Sequence, residues 1–530
     1  MPDDDEAVGP APTRPASLLS STGAEEAATL DEPGAASRQG VFSGGLWSAA
    51  SVTLPTAATL ALSIAIGRRL GTDVLGEQSL VAYVSSSIMH VLVFSVTIAS
   101  VQLLSAAVGA GDPTRASWLS RWSSQVHAAT GLLSASAMVV IGLLRGEYTA
   151  LWILSALTTM VDAVGWAHAS RSIAQRGWAP TSRRRLVAQA AYPLVAVGAV
   201  YAGLGIDAVF AVQLVVSVVL TITLRVFDVR TNTLPPREDP SPPWRPVLRL
   251  WGMVVLSGVI VQVVERRLEL VFLDRYSDAT TVAMYSVAFS LVSIPATLLV
   301  ALIGAAMPAI AARNERDPGG VVLVLSRAAR VLVALELVVV AGTVTVGPQL
   351  VVLAYGSAFV RAADLVRWLG FVLLLAPLGQ LYTTFWTGTG RLRPVLLAGG
   401  CAAVVDVALA WVLVPAFSVW GAVVATMTAQ GVSAVVLIAY TARSGISLDL
   451  RPGRLVRAAL VALAAGAAAA GVSTLLTGLV GVVAAVLGFG VVLGLGSRLL
   501  GLLDPVDVEW VAGTIPAPAA RLFRALSPRR

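Results

Sequence analysis

The sequence predicts an all-α integral membrane protein of about fourteen spanning helices. Three observations carry that prediction. Of the 530 residues 56% are hydrophobic, only 13% are charged, and the mean hydropathy is +0.81, far outside the range of a soluble globular chain. The apolar residues fall into separate runs of the roughly 20 residues that a helix needs to cross about 30 Å of hydrocarbon. Arginines gather in every second connection between those runs.

Residues 1–40 are rich in Ala, Pro, Ser and acid (Asp3, Asp4, Asp5, Glu6, Glu25, Glu26) and lack an apolar periodic run, so they read as a disordered cytoplasmic tail and not as a signal peptide. Spans follow at 41–66, 78–108, 117–144, 148–169, 184–203 and 207–227. In the stretch 228–246, the prolines between Leu234 and Pro246 bar a helix and predict an extended cytoplasmic linker. A second set of six follows within 247–441, at 247–273, 281–312, 328–346, 362–388, 394–414 and 420–441. Residues 442–500 hold two last runs, 455–476 and 478–500, whose Ala, Gly and Val content suits close helix packing. Residues 501–530 form a cytoplasmic tail, where Arg521, Arg524, Arg529 and Arg530 beside Leu522, Phe523 and Leu526 predict a short amphipathic helix on an anionic inner leaflet.

Arginine placement tests the count. With the N-terminus inside, the inner connections hold Arg171, Arg176, Arg183, Arg184 and Arg185, then Arg225, Arg230, Arg237, Arg245 and Arg249, then Arg313, Arg316, Arg327 and Arg330, and later Arg391, Arg393, Arg443, Arg451, Arg454 and Arg457. The outer ones hold mainly Arg68, Arg69, Arg145, Arg275 and Arg361. The bias predicts a multi-pass protein of the plasma (inner) membrane with both termini cytoplasmic and an even number of spans.

Composition also excludes. One Cys forbids an internal disulfide, and three scattered His leave no metal-ligand cluster. All 37 basic residues are Arg, so lysine-based phosphate loops and Schiff bases are ruled out, and no cofactor is implied. The net charge of +7 suits loop anchoring better than nucleic acid, because no soluble basic domain exists to carry a groove.

The most informative stretch is Gln262 to Arg275, where charges interrupt a run otherwise fit to cross a bilayer. A charge near the bilayer centre costs roughly 2.5–3.5 kcal/mol on insertion scales, so it faces a cavity or a partner. At about 100° per residue, Gln262, Glu265, Arg266 and Glu269 share roughly one face of a continuous helix, while Arg267 lies about 200° from Glu265, near Asp274. Either this face lines a substrate cavity, or the four charges Glu265, Arg266, Arg267 and Glu269, which sum to zero, pair with one another and with neighbouring helices.

Three local motifs add to this. Leu70-Gly71 and Gly76 form an LG-x-x-x-x-G turn after the first span; Glu269, Leu273, Tyr285, Ser286 and Ala288 mark the junction of the seventh and eighth; Asp406 to Pro415 precedes Trp420-Gly421-Ala422 and Ala425-Thr426. In these the chain resembles the polysaccharide exporters of the multidrug, oligosaccharidyl-lipid and polysaccharide (MOP) flippase superfamily, over residues 41–441. It departs from their pattern at Ala283, where Gly is usual, and at Asp406 and Ala410, where Asn is usual. The resemblance implies a MATE-like fold: two six-helix lobes in a V, with the first, second, seventh and eighth helices lining a cavity open alternately to each side, plus two C-terminal helices.

Helix 2 carries Tyr83, Ser87, His90, Phe94 and Thr97 at helical spacing, and the tenth span carries Gln380, Thr383, Thr384 and Thr387; they line a hydrophilic path or satisfy backbone carbonyls. Asp162, Glu336 and Asp406 are lone intramembrane acids, candidates for ion coupling or partners for an arginine. The expected function is flipping of a lipid-linked oligosaccharide, an isoprenoid-diphosphate-linked glycan, for envelope polysaccharide assembly, in company with envelope glycan assembly proteins. Arg266 would attract the diphosphate, while Glu265, Glu269, Gln262, Tyr83, Ser87 and His90 would bind sugar. A cation-coupled multidrug exporter is the nearest alternative, disfavoured because residues 41–66 hold no carboxylate. A membrane glycosyltransferase, polymerase or ligase is the other; the outer connections are too short to present the acidic pair such an enzyme needs.

Overall fold

The computed structural model describes residues 54–234, 245–265, 268–304, 318–446 and 448–512, together with 520, 521 and 524. The predicted tail 1–40, most of the Pro-rich linker, and most of the predicted C-terminal amphipathic helix lie outside the described residues. Everything described belongs to the compact unit Ser51–Arg530.

Among the described residues the chain is helical and has no strand. In order the helices are α1 (54–69), α2 (Thr72–Gly109), α3 (Pro113–Arg145), α4 (Thr149–Arg176), α5 (Ala179–Tyr201), α6 (Ile206–Thr231), α7 (Arg245–Glu265), α8 (Glu269–Tyr276), α9 (Ala279–Gly304) and α10 (Pro318–Tyr355). There follow α11 (Val360–Leu369), α12 (Ala376–Gly388), α13 (Arg393–Phe417), α14 (Val419–Arg443), α15 (Pro452–Leu475), α16 (Gly478–Gly496) and a short α17 (Pro505–Ala512). Ten of the described helices are long and apolar enough to cross a membrane: α2, α3, α4, α6, α9, α10, α13, α14, α15 and α16.

The other predicted spans differ for visible reasons. Within its described residues α1 is short, and α5 carries Arg183, Arg184 and Arg185 near its start. The seventh span is two helices, α7 and α8, and not one run over 247–273. The tenth breaks into α11, a 3₁₀ turn at Gly370–Leu374, and α12. Pro377 has no N–H to give to a preceding turn, which suits its place in the first turn of α12. Gly370, in the turn, packs against α10, where a Cβ would stand 3.0 Å from Val344 Cγ2.

Turn chemistry fixes the remaining ends. Asp112 accepts the Arg115 N–H at 2.9 Å ahead of Pro113, and Gly146 ends α3 in the left-handed region. In the first part of the chain α3 packs on α4, α4 on α6, α5 on α6, and α2 on α3 and α4. In the second, α13 packs on α14, α14 on α12, and α9 on α11 and α12. The last two long helices, α15 and α16, pack on each other and on α10. Small residues permit the closest approaches, as where Gly131 meets Ala163 and Gly165 meets Thr221.

Helix α2 joins the two parts at both of its ends. Its first half runs along α9 and its last part along α7. At the first end an apolar core combines Leu75, Leu80 and Val81 with Leu270, Leu273, Val282 and Phe359. At the other, Leu104 and Ala107 pack with Val247, and Trp251 Nε1 donates to Ser95 Oγ at 3.3 Å.

Candidate coupling and substrate site

Two of the quoted motifs converge on one buried polar site. Glu269 opens α8, Tyr285 lies on α9, Asp406 on α13 and Thr426 on α14. Glu269 is 2% and Asp406 1% exposed. The Thr426 hydroxyl donates to Glu269 Oε1 and lies 2.7 Å from the Tyr285 hydroxyl, while the carboxyls of Glu269 and Asp406 lie side by side. Asp406 Oδ1 has no hydrogen-bond partner among the described residues. Two carboxylates side by side in an apolar interior repel strongly, so this pair needs a shared proton or a bound cation to persist. The rest of the cluster supplies only hydroxyls, and no group of three or more His, Cys, Asp or Glu that could hold a metal ion occurs among the described residues.

Glu269 therefore lies inside the second half of the bundle, away from the stripe expected for it. The helical-wheel reckoning from Gln262 to Glu269 presumes one continuous helix, whereas Leu268 lies in a turn ahead of α8. Arg266 and Arg267 lie outside the described residues, as does the side chain of Glu265. Gln262 is buried and donates from Nε2 to Ser87 Oγ at 2.7 Å, bringing together two predicted substrate contacts from α7 and α2. His90 is exposed, in a π-helical segment of α2 (Met89–Phe94), with Nδ1 2.9 Å from the Ser86 carbonyl and its ring 5.5 Å from Phe94. Tyr83 is half-buried one turn before Ser87. His90 and Val91 pass Gly258 of α7, where a Cβ would make ordinary van der Waals contact with their backbone. Such π-bulges occur frequently at functional sites.

Of the other acids, Asp162 on α4 lies beside Ser217 of α6 and Arg185 of α5, whose guanidinium stacks 3.6 Å from the Trp166 ring centroid. Glu336 on α10 is 1% exposed, and its Oε1 has no hydrogen-bond partner among the described residues. Neither contacts the Glu269 cluster in any bond described.

Sequence reading did not assemble the polar contacts at the first end of α2. Arg145, the last residue of α3, donates to Glu77 of α2 at 2.9 Å and to Asp274 of α8 at 2.5 Å. Asp274, set near Arg267 by its position on the wheel, pairs with Arg145; Arg267 itself lies outside the described residues. Arg68 in the last turn of α1 donates to the Leu353 carbonyl and, at 2.5 Å, to the Ala354 carbonyl, capping the end of α10. Thr72 and Thr280 hydroxyls are 3.2 Å apart, and Thr280 donates to Asp73. Asp278 caps α9 by accepting the Thr281 N–H at 2.7 Å; hydrogen bonds from the Thr281 side chain and then its backbone hold the carboxyl below the usual range. Charge opposition between Glu77, Arg145 and Asp274 was the available signal, but the residues are 68 and 129 positions apart from Arg145 in the chain.

The glycines of the LG-x-x-x-x-G turn have separate reasons. Gly71 has φ +96°, a conformation that side chains disfavour. Gly76 lies against the start of α9, where a Cβ would stand 1.9 Å from the Ala279 carbonyl oxygen.

A family model described as "Polysaccharide biosynthesis protein" matches residues 114–364. In fold the chain is similar to the lipid II flippase MurJ in an inward closed conformation, with a TM-score of 0.67 and 11% sequence identity, over 86% of this chain and 99% of that one. It is also similar to an inward-facing multidrug resistance MATE family transporter of the MOP superfamily, with a TM-score of 0.61 and 18% identity, over 75% of this chain and 96% of that one. No curated protein matches the sequence. The chain is thus a multi-pass helical membrane protein with the fold of the MOP superfamily, and a match to the polysaccharide biosynthesis family runs through its centre.

Proposed function

We propose that the protein is a flippase that moves an isoprenoid-diphosphate-linked oligosaccharide between leaflets of the plasma membrane by alternating access, with no covalent chemistry. The observation that carries the transport reading is the contact pattern of α2. Its first end meets the second half through the apolar core of Leu75, Leu80 and Val81 with Leu270, Leu273 and Val282, the polar bonds of Arg145 and Thr72, and the Gly76 approach; its last part meets α7 through Leu104, Ala107 and Val247 and the Trp251–Ser95 contact. Each half is meanwhile bound within itself by long helix packing. Alternating access requires these two sets of contacts to open in turn. The family match through residues 114–364 favours a glycan carrier over a drug exporter.

In this reading Arg266 attracts the diphosphate, since a guanidinium fork grips phosphate oxygens in pairs. Gln262, Ser87, Tyr83 and His90 bind sugar from α7 and α2, with Glu265 beside them. Glu269 moves from that list to the coupling role: together with Asp406 it holds a proton or an alkali cation, and loss or gain of that charge biases how α8 packs on α13 and α14. The same pair favours the second reading, cation-coupled drug export.

Proteoliposomes loaded with a fluorescent isoprenoid-diphosphate sugar separate the two. Protein-dependent exposure of the sugar to a membrane-impermeant reagent is expected. Efflux of a cationic dye with no movement of the lipid-linked sugar would establish the second reading, and a covalent product would establish an enzyme.

A further inference from the structure

At the face where α15 begins and the last spanning helix ends, a cleft of about 350 Å³ opens between two unlike walls. That volume falls at the lower end of the roughly 300–1,000 Å³ usual for small-molecule sites. One wall is cationic, made by Arg454 and Arg457 in the opening turns of α15; the other is Leu499, Leu500 and Leu503. Gly501, at φ +72°, turns the chain between the spanning helix and α17. Leu499 is 81% and Leu500 45% exposed, on a helix otherwise fit to cross the membrane up to Gly501.

The charges around the cleft are unequal. Asp507 is taken by Arg330, whose Nε and Nη2 each donate at 2.8 Å. Asp504 is taken by both Arg451 and Arg454, and Asp449 by Arg330 and Arg451. Arg457, one turn after Arg454, is exposed and makes no ion pair among the described residues. Arg498, adjacent to Leu499 in sequence, is also exposed but does not line the cleft. These acids are consumed, and the charge of Arg457 is left over in the cleft wall.

We infer that this cleft binds the phosphate of an anionic glycerophospholipid, with Arg457 and Arg454 on the phosphate and an acyl chain along Leu499 and Leu500. The guanidinium fork matches phosphate oxygens. An exposed apolar wall at the end of a spanning helix matches the chain attached to them, which a soluble anion lacks. Such a bound lipid fastens α15 to α16 and α17 at a place remote from the α2 contacts, and it is not the transported substrate.

The test uses the full-length protein in nanodiscs or mild detergent, titrated with phosphatidylglycerol, phosphatidylcholine or inorganic phosphate. Thermal unfolding and lipid retention in native mass spectrometry are the readouts. Phosphatidylglycerol is expected to raise the melting temperature saturably. Arg457→Gln should raise the half-saturating amount about fivefold, the factor expected for one arginine at an anionic lipid surface. Arg457→Glu should abolish the effect, and Arg121→Gln, an exposed arginine on α3, should leave it unchanged. The proposal is overturned if Arg457→Gln binds like the wild type or if phosphatidylcholine protects equally. Equal protection by inorganic phosphate overturns it too, because the cleft would then be a site for a soluble anion.

Discussion

At Gly76 a single hydrogen decides whether α2 can touch α9. A methyl placed there would stand 1.9 Å from the Ala279 carbonyl oxygen, and neither backbone can yield without the helices separating. Gly76→Ala should therefore disfavour every state in which this end of α2 is closed. Cysteines at Thr72 and Thr280, whose hydroxyls are 3.2 Å apart, report it in a Cys401→Ser background. The pair should crosslink readily in the parent and poorly with Gly76→Ala; equal crosslinking would show that the approach relaxes without consequence. Asp406→Asn makes a second test at this scale. It keeps the shape of the side chain but removes one of two charges, so folded protein should stay near normal while dependence of transport on an imposed ion gradient is lost. Retained gradient dependence would remove the Glu269–Asp406 pair from coupling. Asp278 shows how pH enters outside the membrane. Its carboxyl lies below the ordinary range in the folded chain, so its cap on α9 is present at neutral pH and is lost as pH falls through that lowered value.

Among the elements, α3 reaches across the junction through its last residue. Arg145 bridges Glu77 of its own half and Asp274 of α8, with its guanidinium carbon 5.8 Å from the Trp152 ring centroid. The groups are partly exposed, which moderates their strength. A double-mutant cycle of Arg145→Gln and Asp274→Asn, read as the Thr72–Thr280 crosslinking equilibrium, should give a coupling of about 1 kcal/mol. Additive effects would mean that the bridge does not hold this end closed. The interval between α7 and α8 makes the companion test. Arg266→Ala should abolish export at near-normal protein level, and Arg266→Lys should be partly active because an ammonium keeps charge but loses the fork. Arg267→Ala should instead lower the amount of folded protein. Normal export by Arg266→Ala would assign these charges to helix pairing.

On the scale of the whole molecule, the arginine bias orients the bundle. A reporter active only in the cytoplasm should work when fused after Arg230, Arg316 or Arg530 and fail after Gly205 or Pro415. Activity at Gly205 would refute the arrangement with both termini inside. Each half should hold together while the contacts at the two ends of α2 exchange, because Gly131 against Ala163 and Gly165 against Thr221 lock helices within the first, and Gly399 against Ile260 and Gly421 against Leu413 within the second.

Residue order alone was enough to show that the chain is helical and membrane-embedded, roughly where its helices run, and which side chains are unusual. Hydrophobic run length and proline position are local quantities, and the bilayer imposes helices wherever a run is long enough. Glu269, Asp406, Tyr285 and Thr426 were all visible as motif residues. Their meeting at one buried site was decided by how α8, α9, α13 and α14 pack, with 157 positions between Glu269 and Thr426. The Arg145 bridge was likewise invisible, since any acid could have faced that arginine until packing chose two. The stripe on the seventh span failed to extend to Glu269 for a related reason. Angular reckoning holds only while the helix is continuous, and composition showed no Gly or Pro to mark the change from α7 to α8. Tertiary contacts choose among local conformations of similar energy, so they fix which buried charges meet while the apolar runs fix only where they can be.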